Sequence, residues 1–206
     1  MPDDAGLPRL FTEPVLVVQQ KAKLIELAGE FSVFDQQGTQ IGSVAEVGQS
    51  ALKQAARFVS QLDQFMTHSF EIRDENGQAV LILVRPRKFM KSKFQLTRPD
   101  GTAVAEIAQK NRIGKIRFSL IVDGREVATL NGENWRAWDF NVQDPSGKEI
   151  ARISKQFAGF VKEAFTTADN YVVQIPEPLD EPLRSVVVAS ALCIDTALKQ
   201  EDRSVI

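Results

Sequence analysis

The 206-residue chain contains a single cysteine and a single histidine, and each scarcity excludes a class of protein. Cys193 has no partner for an internal disulfide, so a reducing compartment is expected, and we interpret Cys193 as a small core residue. With His68 as the only histidine, multi-histidine metal centres are excluded. We interpret His68 as a solvent-exposed or edge-strand residue. No nucleotide-binding loop or metalloprotease motif occurs, so the sequence does not indicate an enzyme.

Long apolar runs are also missing. The first ten residues, MPDDAGLPRL, are polar and acidic, so no signal sequence is expected. The best candidate for a membrane span is the uncharged run from Ser185 to Ile194, which Arg184 and Asp195 enclose. Because a spanning helix needs about 20 apolar residues, a helix buried inside the protein is favoured over a transmembrane helix.

Five segments repeat one pattern, in which a Phe opens an alternating apolar run and a Gly follows six or seven residues later. An Asp or Pro-Asp before the Gly caps a turn, and the Gly supplies the positive φ that a bulged hairpin loop requires. The repeat therefore predicts serial β-hairpins, each with an apolar face that must be covered. The pairs are Phe31/Gly38, Phe70/Gly77, Phe94/Gly101, Phe118/Gly124 and Phe140/Gly147.

The segment from Leu183 to Leu198 is apolar on all sides, which predicts a helix buried on every face. Its roughly 24 Å length is close to the roughly 23 Å of a seven-residue strand, so the helix could thread a closed sheet. A second, short helix is expected from Ser50. We therefore expect a mostly β protein with one barrel domain. Its parts are a flexible N-terminus at 1–9, the barrel at 10–199 including a core helix at about 182–199, and a tail at 200–206.

Positive charge is concentrated in one part of the chain, although the formal net charge is only −2. From Arg85 to Arg117 there are ten basic and two acidic residues, a local net of +8. Within it, RPRKFMKSKF mixes cations with Phe and Met, which suits an anionic lipid headgroup layer. The residues assigned to phospholipid binding are Arg85, Arg87, Lys88, Lys91, Lys93, Lys110, Arg112 and Lys115.

Two other interpretations of this basic region exist. It could be a solvated edge strand, in which Lys and Arg oppose aggregation. It could also attract nucleic acid, but the acidic pI of about 5.6 and the lack of a stacking aromatic set argue against that partner.

The run from Arg152 to Leu198 contains EAFTTADNY followed by a Gln, a Pro and an apolar helix with an inner Asp. It resembles the C-terminal signature of the phospholipid scramblase family. The resemblance implies the tubby-like fold of a superfamily that includes the LURP-one-related proteins: a twelve-stranded antiparallel barrel around a central hydrophobic C-terminal helix. Five hairpins plus strands near Val15–Gln20 and Tyr171–Ile175 also reach twelve. It further implies a protein that moves phospholipid between leaflets in response to calcium.

The expected calcium segment, residues 167–178, departs from the family pattern. The family has Asp at the first and last positions and Gly at the sixth. This chain has Thr167, Pro178 and Val172 there, which leaves Asp169 and Asn170 as oxygen ligands where calcium takes six to eight. Tight calcium binding is therefore not expected, and no cofactor is assigned.

The family's palmitoylated cysteines are also absent after Arg85-Pro86, so cations would have to supply membrane attachment. We expect a cytoplasmic protein that binds anionic phospholipid at the inner membrane surface peripherally and reversibly. The alternative is a soluble scaffold or regulatory protein whose barrel contacts other proteins and not lipid.

Overall fold

The structure, a computed structural model, describes residues 7–20, 30–47, 66–86, 93–110, 116–134, 139–155 and 170–201. These residues form twelve strands, a 3₁₀ turn at Arg9–Phe11 and one long helix, α1, at Leu183–Glu201. The helix expected from Ser50 lies outside the described residues. The strands are β1 Val15–Gln20, β2 Glu30–Phe34, β3 Gln40–Glu46, β4 Met66–Asp74, β5 Ala79–Pro86, β6 Lys93–Thr97, β7 Ala103–Gln109, β8 Arg117–Val122, β9 Arg125–Asn134, β10 Asp139–Gln143, β11 Glu149–Ser154 and β12 Asn170–Gln174.

The twelve strands close into one antiparallel barrel. Each strand pairs with its neighbours in sequence, and β1 pairs with β12 to complete the ring. At this seam Val17 lies opposite Val172, and Gln19 lies opposite Asn170. The closed twelve-stranded sheet confirms the tubby-like architecture that the sequence resemblance implied.

The five predicted hairpin turns all lie at one end of the barrel, which we call the turn end. Their glycines have φ between 74° and 89°, so each occupies the left-handed conformation that the repeat predicted. In the turn after β4, the Asp74 carboxylate accepts the backbone N–H of Asn76 at 2.9 Å and of Gln78 at 2.8 Å. The acidic residue therefore fixes the turn locally, before any tertiary contact is made.

The remaining connections join strand ends at the opposite end of the barrel, which we call the connection end. This follows from antiparallel order, because successive connections must alternate between the two ends of the sheet. These six connections span residues 21–29, 47–65, 87–92, 110–116, 135–138 and 155–169.

Helix α1 follows β12 and therefore enters the barrel from the turn end. Its residues Val186 to Ala189 have no exposed surface, and the helix contacts β7, β8 and β9. The Tyr171 hydroxyl donates a hydrogen bond to the Ala191 carbonyl at 3.2 Å, which links the last strand to the helix. These contacts confirm the predicted buried helix.

A belt of aromatic side chains lines the barrel interior nearer the connection end. Each even-numbered strand contributes one ring, and all six rings are buried. Gly132 lies opposite Phe140, and a Cβ at Gly132 would come within 3.2 Å of that ring, so the glycine makes room for it. The Phe of each repeat is thus one of the core residues of its hairpin. The belt consists of Phe31, Phe70, Phe94, Phe118, Phe140 and Tyr171.

The N-terminal residues close the turn end. Leu10 of the 3₁₀ turn is fully buried and packs over Gly42, where an added Cβ would lie 2.7 Å from the Arg73 carbonyl oxygen and 3.2 Å from a Leu10 methyl carbon. The preceding Arg9 donates hydrogen bonds to Glu13 at 2.6 Å and to Asp35 at 2.7 Å. Arg9, which the sequence placed in a flexible terminus, is therefore tied to the barrel.

Candidate functional site

The structure describes three of the eight cations that the sequence assigned to phospholipid binding: Arg85, Lys93 and Lys110. The other five lie outside the described residues; they are Arg87, Lys88, Lys91, Arg112 and Lys115. By sequence these five belong to the connections between β5 and β6 and between β7 and β8. Because β5, β6, β7 and β8 are consecutive neighbours in the barrel, the strand ends that carry both basic segments lie side by side at the connection end.

None of these four strands is an edge. Each pairs with a strand on both sides, since the barrel is closed. The alternative that this region is a charged edge strand is therefore wrong for the strands that the structure describes, because each of them has a paired neighbour on both sides. For the same reason His68, whose strand β4 pairs with both β3 and β5, is not on an edge strand.

Arg85 differs from the other cations because it points into the barrel. It follows the inward-facing Leu83 by two residues and is 5 % exposed. Its guanidinium carbon lies 5.5 Å from the centroid of the Phe94 ring in the aromatic belt. A desolvated cation–π contact of this kind is worth about 2 kcal/mol. The structure thus gives Arg85 a core-packing role and removes it from the exposed set to which the sequence had assigned it.

Lys93, at the first position of β6, lies on the outer wall of the barrel and is 51 % exposed. Its Nζ atom is 2.7 Å from a carboxylate oxygen of Glu106 on β7. In the β6–β7 register Lys93 is opposite Ala108, so Glu106 lies further from the connection end than Lys93 does. The carboxylate therefore holds the lysine along the wall.

Lys110, which follows β7, makes a similar contact. Its Nζ atom lies 2.8 Å from each carboxylate oxygen of Glu126 on β9. This lysine, together with a hydrogen bond from Ser119, lowers the pKa of Glu126 below its ordinary value, so the carboxylate is ionised at neutral pH. The Lys110 backbone N–H also donates to the Arg117 carbonyl at 2.8 Å, which places the exposed Arg117 beside it.

We call this group the basic wall: Lys93, Lys110 and Arg117, with Glu106 and Glu126 as paired carboxylates. Sequence reasoning identified the two lysines but missed both glutamates. The Glu106 pairing could have been found from hairpin register, because the predicted turn at Gly101 places Glu106 opposite Gln95, which is two residues from Lys93 and on the same face of β6. The Glu126 pairing crosses the intervening strand β8 and leaves no local signal in the sequence.

The described part of the expected calcium segment is mostly strand. Residues Asn170–Gln174 form β12, which pairs with β1 on one side and β11 on the other. An extended, doubly paired strand directs alternate side chains to opposite faces, so it does not gather oxygen ligands at one point. Asn170 is buried, and neither atom of its amide has a hydrogen-bond partner. The described residues of this segment do not fit a calcium loop, and the proposed function uses no step through calcium.

Two further features concern the described residues as a set. Within the ranges that the structure covers, no group of three or more His, Cys, Asp or Glu residues is arranged to hold a metal ion. In the same ranges, no helix combines the length and the apolar character that crossing a bilayer requires.

Comparison with known proteins places this geometry in a family. The Scramblase family matches residues 1–198 of the chain. A phospholipid scramblase family protein of Schizosaccharomyces pombe is 28% identical over 184 residues, which cover 80% of this chain and 47% of that protein. Phospholipid scramblase 1 of Rattus norvegicus is 46% identical over 141 residues, which cover 62% of this chain and 42% of that protein. The chain thus spans about half the length of the curated relatives it matches.

A solved structure shares the fold. The X-ray structure of a protein from Arabidopsis thaliana aligns with a TM-score of 0.53 over 89% of this chain and 93% of that one. The identity is 14%, so this similarity concerns the barrel architecture alone.

Proposed function

Because the chain belongs to the scramblase family, we propose that it binds anionic phospholipid at a membrane surface through the connection end of the barrel. The observation that carries the proposal is topological: two basic segments, separated in sequence by the β6–β7 hairpin, join neighbouring strand ends on the same rim. The exposed cations of the basic wall continue that surface onto the outside of β6, β7 and β8.

The energetics fit reversible attachment. Each Lys or Arg near an anionic leaflet contributes about 1 kcal/mol, and the attraction decays within about one Debye length of the surface. Several cations together therefore give binding that salt weakens. Arg85 is left out of this set because it is buried against Phe94.

Co-sedimentation with vesicles tests the proposal. The wild-type protein is expected to pellet with phosphatidylserine-containing vesicles at low salt and to be released as salt rises. Replacing Lys88, Lys91 and Lys93 together by Gln should abolish most of this binding. A matched control changes the net charge equally at the turn end, by replacing the exposed residues Gln36, Gln37 and Gln78 together with Glu, and should bind like the wild type.

Two outcomes would count against the proposal. Equal pelleting of the lysine variant and the control would remove the basic segments from the binding surface. Absence of wild-type pelleting at low salt would refute lipid binding and favour the alternative of a scaffold that contacts proteins.

Transfer of lipid between leaflets is the second part of the proposed function, because the relatives named above are phospholipid scramblases. Reconstitution into vesicles that contain fluorescent lipid, followed by quenching of the outer leaflet with and without calcium, separates transfer from binding. A quenched fraction above that of protein-free vesicles is expected, and a fraction that stays at half the label would refute transfer while leaving binding intact.

A further inference from the structure

We propose that the barrel docks on an anionic bilayer end-on, with the connection end toward the lipid and the turn end away from it. This orientation rests on the proposed lipid binding and specifies which face of the molecule the bilayer contacts. It follows from how the fold distributes charge between its two ends.

The turn end is strongly acidic. Its turns and the strand residues directly beside them, together with the segments before β1 and after β12, contain eleven acidic and four basic residues, a net charge of −7. Glu126, which belongs to the basic wall, is not counted. All of these residues lie within the described part of the chain. The ranges counted are 7–14, 35–39, 74–78, 98–102, 123–125, 144–149 and 175–182.

Several of these carboxylates are held in the ionised form by their own turns. Burial by itself would raise the pKa of Asp35, but the Thr39 N–H, the Arg9 guanidinium and the Gln37 N–H outweigh it and leave the pKa lowered. The N–H and hydroxyl of Thr102 lower the pKa of Asp100. The turn chemistry that builds the hairpins therefore also fixes negative charge at this end at neutral pH.

The distance between the two ends is long compared with electrostatic screening. A seven-residue strand such as β7 spans roughly 23 Å, which a barrel tilt of about 40° reduces to roughly 17 Å along the axis. The Debye length at physiological ionic strength is about 8 Å. With the connection end on the membrane, the acidic turns thus lie about two Debye lengths away, whereas the inverted orientation would place a net charge of −7 against an anionic surface.

Within the connection end, the basic wall indicates which side approaches the lipid first. Lys93, Lys110 and Arg117 are all exposed on neighbouring strands, and together with the paired carboxylates Glu106 and Glu126 they carry a net charge of +1. Elsewhere on the rim, Asp139 at the start of β10 is paired with Arg152 at 2.7 Å, so that sector carries no surplus positive charge from this pair. An anionic bilayer is the partner whose charge complements the β6–β8 sector.

Photo-crosslinking tests the orientation. The photoreactive residue p-benzoylphenylalanine is introduced in separate full-length proteins at Ala108, Gln37 and Ser146. Ala108 is partly exposed and lies opposite Lys93 in register, whereas Gln37 and Ser146 are exposed at two different hairpin turns. Each protein is irradiated on phosphatidylserine-containing vesicles at low salt, and lipid adducts are measured by mass spectrometry after co-sedimentation has confirmed that the protein is bound.

Abundant adducts at Ala108 with few at Gln37 and Ser146 are the expected result. Adducts at the two turns that equal or exceed those at Ala108, in protein that has pelleted with vesicles, would overturn the orientation and with it the connection end as the binding surface. Lipid binding itself would remain in place. Failure of all three proteins and of the wild type to pellet would instead refute the proposed function, and the orientation with it. Neutral phosphatidylcholine vesicles serve as the control, on which adducts at every position should fall to background.

Discussion

The two carboxylates of the basic wall are expected to weaken membrane binding, so removing them should strengthen it. Glu106 and Glu126 each hold one lysine at 2.7–2.8 Å on the outer wall. In Glu106→Gln and Glu126→Gln the amide keeps the shape of the side chain and removes one negative charge. The lysine is then available to lipid phosphate without a competing intramolecular partner.

The expected gain in membrane binding follows from the one negative charge that each substitution removes. One unit of charge near an anionic leaflet is worth about 1 kcal/mol, which corresponds to about a fivefold increase in vesicle partitioning for each substitution. Glu106 on β7 and Glu126 on β9 are both opposite Ile121 of the intervening strand β8. Two strand spacings separate them by roughly 10 Å, so the effects of the two substitutions should be nearly additive. An exposed ion pair contributes only about 0.2–1 kcal/mol to folding, so both variants should remain folded.

The assay is the partition coefficient on phosphatidylserine-containing vesicles across a salt series. Glu75→Gln, at an exposed position of the turn end, makes the same change in net charge and should leave partitioning nearly unaltered. In a Lys110→Gln background, Glu126→Gln should lose part of its effect, because the lysine that it releases is gone. An equal gain from Glu75→Gln, or no gain from either wall substitution, would refute the reasoning.

Three further outcomes are expected for stability. Gly42→Ala places a Cβ 2.7 Å from the Arg73 carbonyl oxygen, a clash with fixed backbone, and should lower the free energy of unfolding by about 1–3 kcal/mol in urea denaturation; an unchanged midpoint would show that the strands can separate there without cost. Tyr171→Phe deletes the hydrogen bond to the Ala191 carbonyl and should cost about 1 kcal/mol in the same measurement, whereas no change would mean that this contact does not anchor the helix. The pKa of Asp35 is lowered in the folded protein, so the stabilisation that the ionised carboxylate gives the fold is present above the ordinary pKa of 3.8 and is lost as the pH falls through the folded pKa. The difference in unfolding free energy between the wild type and Asp35→Asn should therefore shrink on acidification below 3.8. A difference that stays constant would contradict the lowered pKa.

The sequence was sufficient for the parts of the fold that local chemistry determines. Asp74 and Gly77 specify their turn through hydrogen bonds within five residues, so that the hairpin could be predicted without any tertiary information. The helix from Leu183 was also predictable, because a segment that is apolar on all sides and too short to span a membrane favours burial inside the protein. The closure of the sheet between β1 and β12 needed the family resemblance, since nothing in Val15–Gln20 indicates its distant partner.

The candidate site was less accessible to sequence reasoning because it depends on which way side chains point. Arg85 was grouped with the other cations although the alternation from Leu81 through Leu83 would have placed it on the core face. The pairing of Lys110 with Glu126 depends on how β7, β8 and β9 lie beside one another, and spacing along the chain does not encode it. The sequence therefore showed where the basic residues are concentrated, but not which of them are buried or paired with a carboxylate in the folded protein.

The seam between the first and last strands sets an order of events during biosynthesis. Gln19 and Asn170 are partners in the completed sheet, so the ring stays open until β12 has left the ribosome, and α1 emerges later still. The five hairpins involve only close neighbours and can assemble early, whereas sealing the ring must await the most distant pairing, which is the slow kind of step. Until α1 has emerged, the apolar side chains of β7, β8 and β9 lack the helix that contacts these strands in the finished barrel, and we expect a chaperone to bind most strongly during this interval.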